Sequence, residues 1–131
     1  MSTPHARCLC GAQRFAVTDP LTSVRYCHCG NCRKFSGTSP AVWAMTRRSG
    51  LRIEAAAVAL GRFDSGQGVR CFCTACGTPV WFESLAYPEI VGLPLGVLEH
   101  GFVPAQMHLW MDSKPAWCLV GDELRKHPRG P

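Results

Sequence analysis

The sequence predicts a single, mainly β domain held together by cysteine-bound metal. Three observations carry that reading: strand-length runs rich in β-branched and aromatic residues, frequent Gly and Pro punctuation, and cysteines gathered into tight groups. At 131 residues there is room for one core and not for two. One domain over residues 1–131 is therefore expected, with 6–120 as its body and 127–131 as a loose tail. A composition 47% hydrophobic and 18% charged is that of a globular chain, not a disordered one.

Taken in order, strands are expected at 14–18, 23–26, 41–45, 51–53, 69–72, 79–82 and 107–110, each short, bounded by turn residues and rich in Val, Phe, Tyr or Trp. The Ala-rich stretch at 54–60 is the one place with helix-forming composition and is assigned a turn or two of helix. No repeat of solenoid period, low-complexity run or dividing linker interrupts this pattern. The first residues lack the apolar core of a secretory signal, and no eighteen apolar residues run together. A cytoplasmic protein with no membrane segment is expected, and in a reducing compartment clustered cysteines serve more often as metal ligands than as disulfides.

Of the nine cysteines, eight fall in three groups: Cys8 and Cys10; Cys27, Cys29 and Cys32; Cys71, Cys73 and Cys76. Cys118 stands alone. A Cys-x-x-Cys-Gly run such as Cys73 to Gly77 forms a tight knuckle, because the glycine accepts a positive φ. A Cys-x-Cys on an extended strand would put the sulfurs of Cys8 and Cys10 on one face. Joining the outer groups makes four thiolates, Cys8, Cys10, Cys73 and Cys76, the set a closed tetrahedral zinc requires. Cys27, Cys29 and Cys32 are then three ligands with a fourth position open, the arrangement of a catalytic zinc. A rival pairing joins Cys29 and Cys32 to Cys73 and Cys76 in one ribbon site and leaves Cys8, Cys10 and Cys27 as bystanders, and spacing alone does not exclude it. Seven metal-bound thiolates and two dications would bring the formal charge of +5 down to about +2, which weakens the electrostatic case for nucleic acid.

These motifs resemble the glutathione-dependent formaldehyde-activating enzymes, a domain shared with centromere protein V. The matching residues are Cys8-x-Cys10-Gly11, then Cys27-His28-Cys29-x-x-Cys32-Arg33 with Ser36-Gly37 after it, Phe72-Cys73-x-x-Cys76-Gly77, and His108 followed by Lys114 and Trp117. The resemblance spans nearly the whole chain. It implies a β-tent fold of the Mss4-like kind and two zinc ions. One is structural on Cys8, Cys10, Cys73 and Cys76, the other catalytic on Cys27, Cys29 and Cys32. The activity it implies joins glutathione and formaldehyde as S-hydroxymethylglutathione, carbon–sulfur lyase chemistry on a small thiol and a small aldehyde. The chain departs from the pattern in being shorter than the glutathione enzymes proper and in carrying Cys71 and Cys118.

Other residues carry plainer expectations. Cys71 and Cys118 read as packing thiols. His28, on an extended chain between two ligands, points away from their metal and serves packing or support, while His108 faces solvent or the cleft. Arg33 and Lys34 either sit on a solvated surface or lower thiol pKa values at the middle group. Two other functional classes compete with the enzyme. One is a non-catalytic zinc-stabilised module binding protein or nucleic acid through Arg47, Arg48 and Arg52. The other is a methionine sulfoxide reductase with Cys118 or Cys71 as nucleophile, which lacks the Arg-x-Cys-x-Asn run expected of it.

Overall fold

A computed structural model describes residues 3–101 and 103–131. Strands β1 (His5–Arg7), β2 (Gln13–Val17) and β5 (Leu51–Ala56) form a three-stranded antiparallel sheet with β2 in the middle. The larger sheet takes β3 (Thr22–Cys27), β4 (Ala41–Arg47), β6 (Leu60–Asp64), β7 (Gly68–Cys73), β8 (Pro79–Ser84), β9 (Ile90–Pro94), β10 (Met107–Leu109) and β11 (Arg125–Lys126). Its order is β11-β10-β3-β4-β9-β8-β7-β6, antiparallel except where β10 runs parallel to β3 and β11. The chain is mainly β, as its strand-length runs require.

Register decides which side chains share a face, because directly paired residues point the same way and neighbours along a strand alternate. The pairs Cys27↔Ala41, Arg25↔Trp43, Met45↔Gly92, Gly92↔Phe82 and Phe82↔Arg70 place Arg25, Cys27, Trp43, Met45, Phe82 and Arg70 on one face of the large sheet. The opposite face carries Leu93, Val91 and Trp81. It packs on the small sheet in the main core with Phe15 and Val17, Phe15 meeting Trp81 edge-on at 5.4 Å. Full burial of a side chain such as Phe15 or Leu93 contributes roughly 1.5–3 kcal/mol. The large sheet thus separates a structural core on one side from a second, smaller cluster of Cys27, Cys32, Ala41 and Trp43 on the other.

The helical expectation at 54–60 is corrected. Residues Glu54–Ala56 continue β5, where Gln13↔Ala56 and Arg14↔Ala55 pair them with β2, and residues 57–59 turn into β6. Ladder hydrogen bonds to a formed neighbour outweigh the few tenths of a kcal/mol that alanine gives a helix. The α-helix among the described residues, α1 (Gly30–Ser36), lies instead in the middle cysteine group. Its composition is ordinary, but both ends are held. The Cys29 sulfur caps the start by accepting from the Cys32 amide, and Gly37, at φ 73°, closes the end with its N–H to Arg33 O. Residues 127–131 also differ from the loose tail expected. His127 N donates to His108 O, and the carbonyls of His127, Pro128 and Arg129 accept from Met111, Asp112 and Trp110.

On the far part of the large sheet Glu83 accepts hydrogen bonds from Arg62 at 2.6 and 3.2 Å and from the Trp81 indole at 2.9 Å, with Arg48 at 3.4 Å. Burial alone would raise its pKa, but these donors and charges outweigh it and hold the carboxyl at about 2 against an ordinary 4.5. Because the folded pKa lies below the unfolded one, the carboxylate's contribution is present above about 4.5 and is lost as pH falls toward about 2. Urea midpoints of wild type and Glu83→Gln should therefore differ at neutral pH and converge through that window. A gap that stays constant would show that ionisation of Glu83 adds nothing.

Candidate metal centres

Two knuckles build the outer site. After β1 the chain turns at residues 9–12, with Gly11 at φ 80°, Gly11 N donating to Cys8 O and Cys8 N to Gln13 O. After β7 it turns again, with Gly77 at φ 79°, Gly77 N donating to Cys73 O and Cys73 N to Thr78 O. The expectation that Cys8 and Cys10 share a strand face is corrected: β1 ends at Arg7, and the turn converges the two sulfurs. The ligand atoms of Cys8, Cys10, Cys73 and Cys76 all lie within 4.8 Å of one another, with Cys8–Cys10 at 3.7 Å and Cys10–Cys73 at 3.9 Å. A tetrahedron with metal–sulfur bonds of 2.3 Å has edges of about 3.8 Å, so these sulfurs fit a closed four-thiolate dication. Backbone and side-chain donors support the thiolates. Gln13 N donates to Cys8 at 3.3 Å, and the Thr78 hydroxyl lies 3.1 Å from Cys76 and is the first cause holding that thiol down at about 5. The site joins the two sheets, since Cys8 follows the small one and Cys73 ends a strand of the large one.

Cys27, Cys29 and Cys32 meet on the other face, their sulfurs within 4.8 Å of one another. Cys27 is the last residue of β3, Cys29 caps α1 and Cys32 lies in its first turn. Among the described residues no further Cys, His, Asp or Glu completes this group. The ribbon pairing of Cys29 and Cys32 with Cys73 and Cys76 is not what the fold builds. The sulfurs crowd enough to share protons: hydrogen bonds from Cys27 and Cys32 hold the Cys29 thiol down to about 2, while Cys27 is pushed up. A cavity of 330 Å³ opens over the trio, walled by Arg25, Trp43, Phe82, Arg70, Tyr87 and Trp110. The Trp43 indole N–H is buried and has no partner within the described residues. A second hollow of 350 Å³ between α1, β4 and the Pro94 turn holds no cysteine and no ionisable side chain.

Charge at the trio comes from a residue that sequence reasoning missed. Arg33 and Lys34 do not line the cavity; Arg70 does. The residue is 5% exposed, and its guanidinium donates from both Nη atoms to Cys32 Sγ at 3.8 Å and lies over the rings of Phe82 and Phe35 at 4.8 and 5.5 Å. Only the register of β7 against β8, which turns position 70 toward the trio, could have revealed it.

His28 and His108 are both buried and neither is a ligand. The expectation that His108 faces solvent or the cleft is therefore corrected, while His28 points away from the trio as its extended backbone requires. His28 Nε2 and His108 Nδ1 are 2.8 Å apart, His108 Nε2 and Asp122 Oδ2 2.8 Å, and His28 Nδ1 lies 4.0 Å from the Cys118 sulfur. One assignment satisfies every atom: Cys118 S–H to His28, His28 Nε2–H to His108, His108 Nε2–H to Asp122. The hydrogen bond from His108 lowers the Asp122 pKa, and burial lowers that of His28. The chain ties the Cys27–Cys29 segment to the C-terminal part of the fold. His108→Leu would leave the His28 N–H buried without an acceptor, at a cost of roughly 1–3 kcal/mol, readable as a fall of several degrees in Tm. An unchanged Tm would show the relay to be idle. Cys71 is buried, with Arg62 Nη1 at 3.6 Å, and belongs to neither cluster.

A family model described as glutathione-dependent formaldehyde-activating enzyme matches residues 3–113, a span that includes both cysteine clusters. The chain belongs to this family. It is 26% identical to a Halomonas elongata protein named "Putative glutathione-dependent formaldehyde-activating enzyme", with 93% of this chain and 82% of that protein covered. It is also similar to the crystal structure of a Rhodobacter sphaeroides protein, at 27% identity and a TM-score of 0.58, over 75% of this chain and 90% of that one. Family membership and two sulfur clusters able to hold metal ions thus coincide in one mainly β domain.

Proposed function

We propose that the chain is a zinc-dependent carbon–sulfur lyase-type enzyme that joins a small thiol, glutathione or a relative of it, to formaldehyde or a related aldehyde. The observation that carries this reading is the open trio: three converging thiolates beside a cavity, in a member of this family. Cys8, Cys10, Cys73 and Cys76 would hold a structural zinc; Cys27, Cys29 and Cys32 would hold a catalytic one with a coordination position free. Zinc there supplies a Lewis acid that stabilises a guest sulfur as thiolate or polarises a carbonyl. The protein's own residues do the rest. The aromatic walls Trp43, Phe82, Tyr87 and Trp110 limit the access of water, and Arg25 and Arg70 favour negative charge. In the net reaction a carbon–sulfur bond replaces the carbonyl π bond and the thiol hydrogen ends on the former carbonyl oxygen, so no oxidant or reductant is consumed. Nine free cysteines accord with a reducing, cytoplasmic setting.

The test is the rate of exchange between free glutathione plus formaldehyde and their adduct, followed by exchange NMR with and without the zinc-loaded protein. Acceleration that rises with protein concentration supports the reading, and exchange at the uncatalysed rate overturns it. The competing nucleic-acid module is disfavoured by its own residues: Arg47 pairs with Asp19 at 2.6 Å, Arg48 with Glu83 at 3.4 Å and Arg52 with Glu54 at 3.6 Å, which leaves no free basic cluster there. Among the described residues no helix is long and apolar enough to cross a membrane.

A further inference from the structure

We propose that the two cavity arginines divide the charge of the middle centre, Arg70 balancing the protein's own metal–thiolate group and Arg25 balancing the sulfur of the guest. The inference deepens the reading above and rests on the trio holding a divalent metal.

Arg70 is a buried guanidinium without a carboxylate. Among the described residues it forms no ion pair, its Nε donates to the Ser65 hydroxyl at 3.1 Å, and both Nη groups aim at Cys32. Burying an unpaired charge is costly, so a cation held this way must be matched by negative charge nearby. Three thiolates on a dication leave one net negative charge, and Arg70 meets it.

Arg25 stands differently. It shares the face of Cys27 two residues along β3, it is half-buried, and its Nε donates to Ser23 O at 2.9 Å. It too forms no ion pair among the described residues. No aspartate or glutamate lines the cavity. With Arg70 committed to Cys32, Arg25 is the cation left for a second negative charge. A thiol that binds as thiolate, releasing its proton to solvent, brings one such charge. A site so balanced selects an anionic sulfur guest for its sulfur, whatever else the guest carries.

The test uses full-length protein loaded with cobalt(II), whose sulfur-to-metal absorption reports each thiolate bound. Wild type should hold two cobalt ions; one ion would sink the proposed function itself, not this inference alone. Against a competing chelator, Arg70→Gln should release the middle ion roughly 10–100-fold more readily while keeping the outer one, and Arg70→Lys, which retains the charge, should hold it closer to wild type. Equal retention in wild type and Arg70→Gln overturns the role of Arg70. Should Arg70→Gln not fold, the lysine variant decides: two ions support the charge argument, one overturns it.

Arg25→Gln should keep both ions yet bind guest thiols roughly tenfold more weakly. The probes are 2-mercaptoethanol, which has no carboxylate, and 3-mercaptopropionate, which has one. A similar loss for both supports a contact with the sulfur's charge. A loss confined to 3-mercaptopropionate, or no loss for either, overturns it.

Discussion

Cys73→Ser will leave the chain without a stable fold. Cys73 is fully buried in the main core at the end of β7 and is one of four sulfurs closing the outer site. Structural zinc on a complete thiolate set carries about 10–16 kcal/mol of apparent binding energy that appears as folding energy, whereas domains retain about 5–15 kcal/mol in total. The two sheets are separate hydrogen-bonded units and this site fastens one to the other, so losing a ligand removes more than the packing can replace. Circular dichroism and urea unfolding of the purified variant check this, with removal of metal from wild type by a strong chelator as a second arm. Both should give the signal of an unfolded chain. A cooperative transition near the wild-type midpoint in either arm would show that the outer site is not what holds the fold.

Cys29→Ser is expected to do the opposite, abolishing activity while leaving the fold intact. Position 29 has two jobs that chemistry can separate. Its sulfur points into the trio, and it also caps α1 by accepting from the Cys32 amide at 3.3 Å. Serine is among the best capping residues, so the helix start survives the change, while a neutral hydroxyl is a poor substitute for a thiolate ligand. Metal content should fall from two ions per chain to one, Tm should move by no more than a few degrees, and thiol–formaldehyde exchange should drop to the uncatalysed rate. Wild-type exchange in a variant holding a single ion would remove the trio from the reaction.

Much of this architecture was legible before any coordinates. Residues such as 41–45 and 79–82 announced strands because β-branched and aromatic side chains suit a pleated, half-buried surface, and those strands formed. The failures have physical causes. Residues 54–56 carry alanines that favour a helix, yet they pair with β2; residues 30–36 carry no strong helical signal, yet capping and the packing of Phe35 on Trp43 make them helical. In the first place a strand distant in sequence outweighed local preference, and in the second the caps and a packing partner did. β9, a Gly- and Pro-containing segment absent from the strands expected, became a central strand because it pairs with β4 and β8.

The sequence by itself determined the local cysteine groups, because a cysteine's place in a short knuckle is local information: spacing, a glycine able to take positive φ, and a thiol that a divalent metal prefers. It favoured joining the outer groups without excluding the ribbon pairing, and the resemblance named the same two sets. Tertiary structure decided that the quartet closes on one face of the large sheet and the trio opens on the other. It also decided that Arg70 and Arg25, rather than Arg33 and Lys34, supply the charge there, and that His28, His108 and Asp122 form one hydrogen-bonded chain. These are relations between residues tens of positions apart, and strand register sets them. A shift of one residue in that register would turn Arg70 to the other face, a difference that spacing along the chain does not encode.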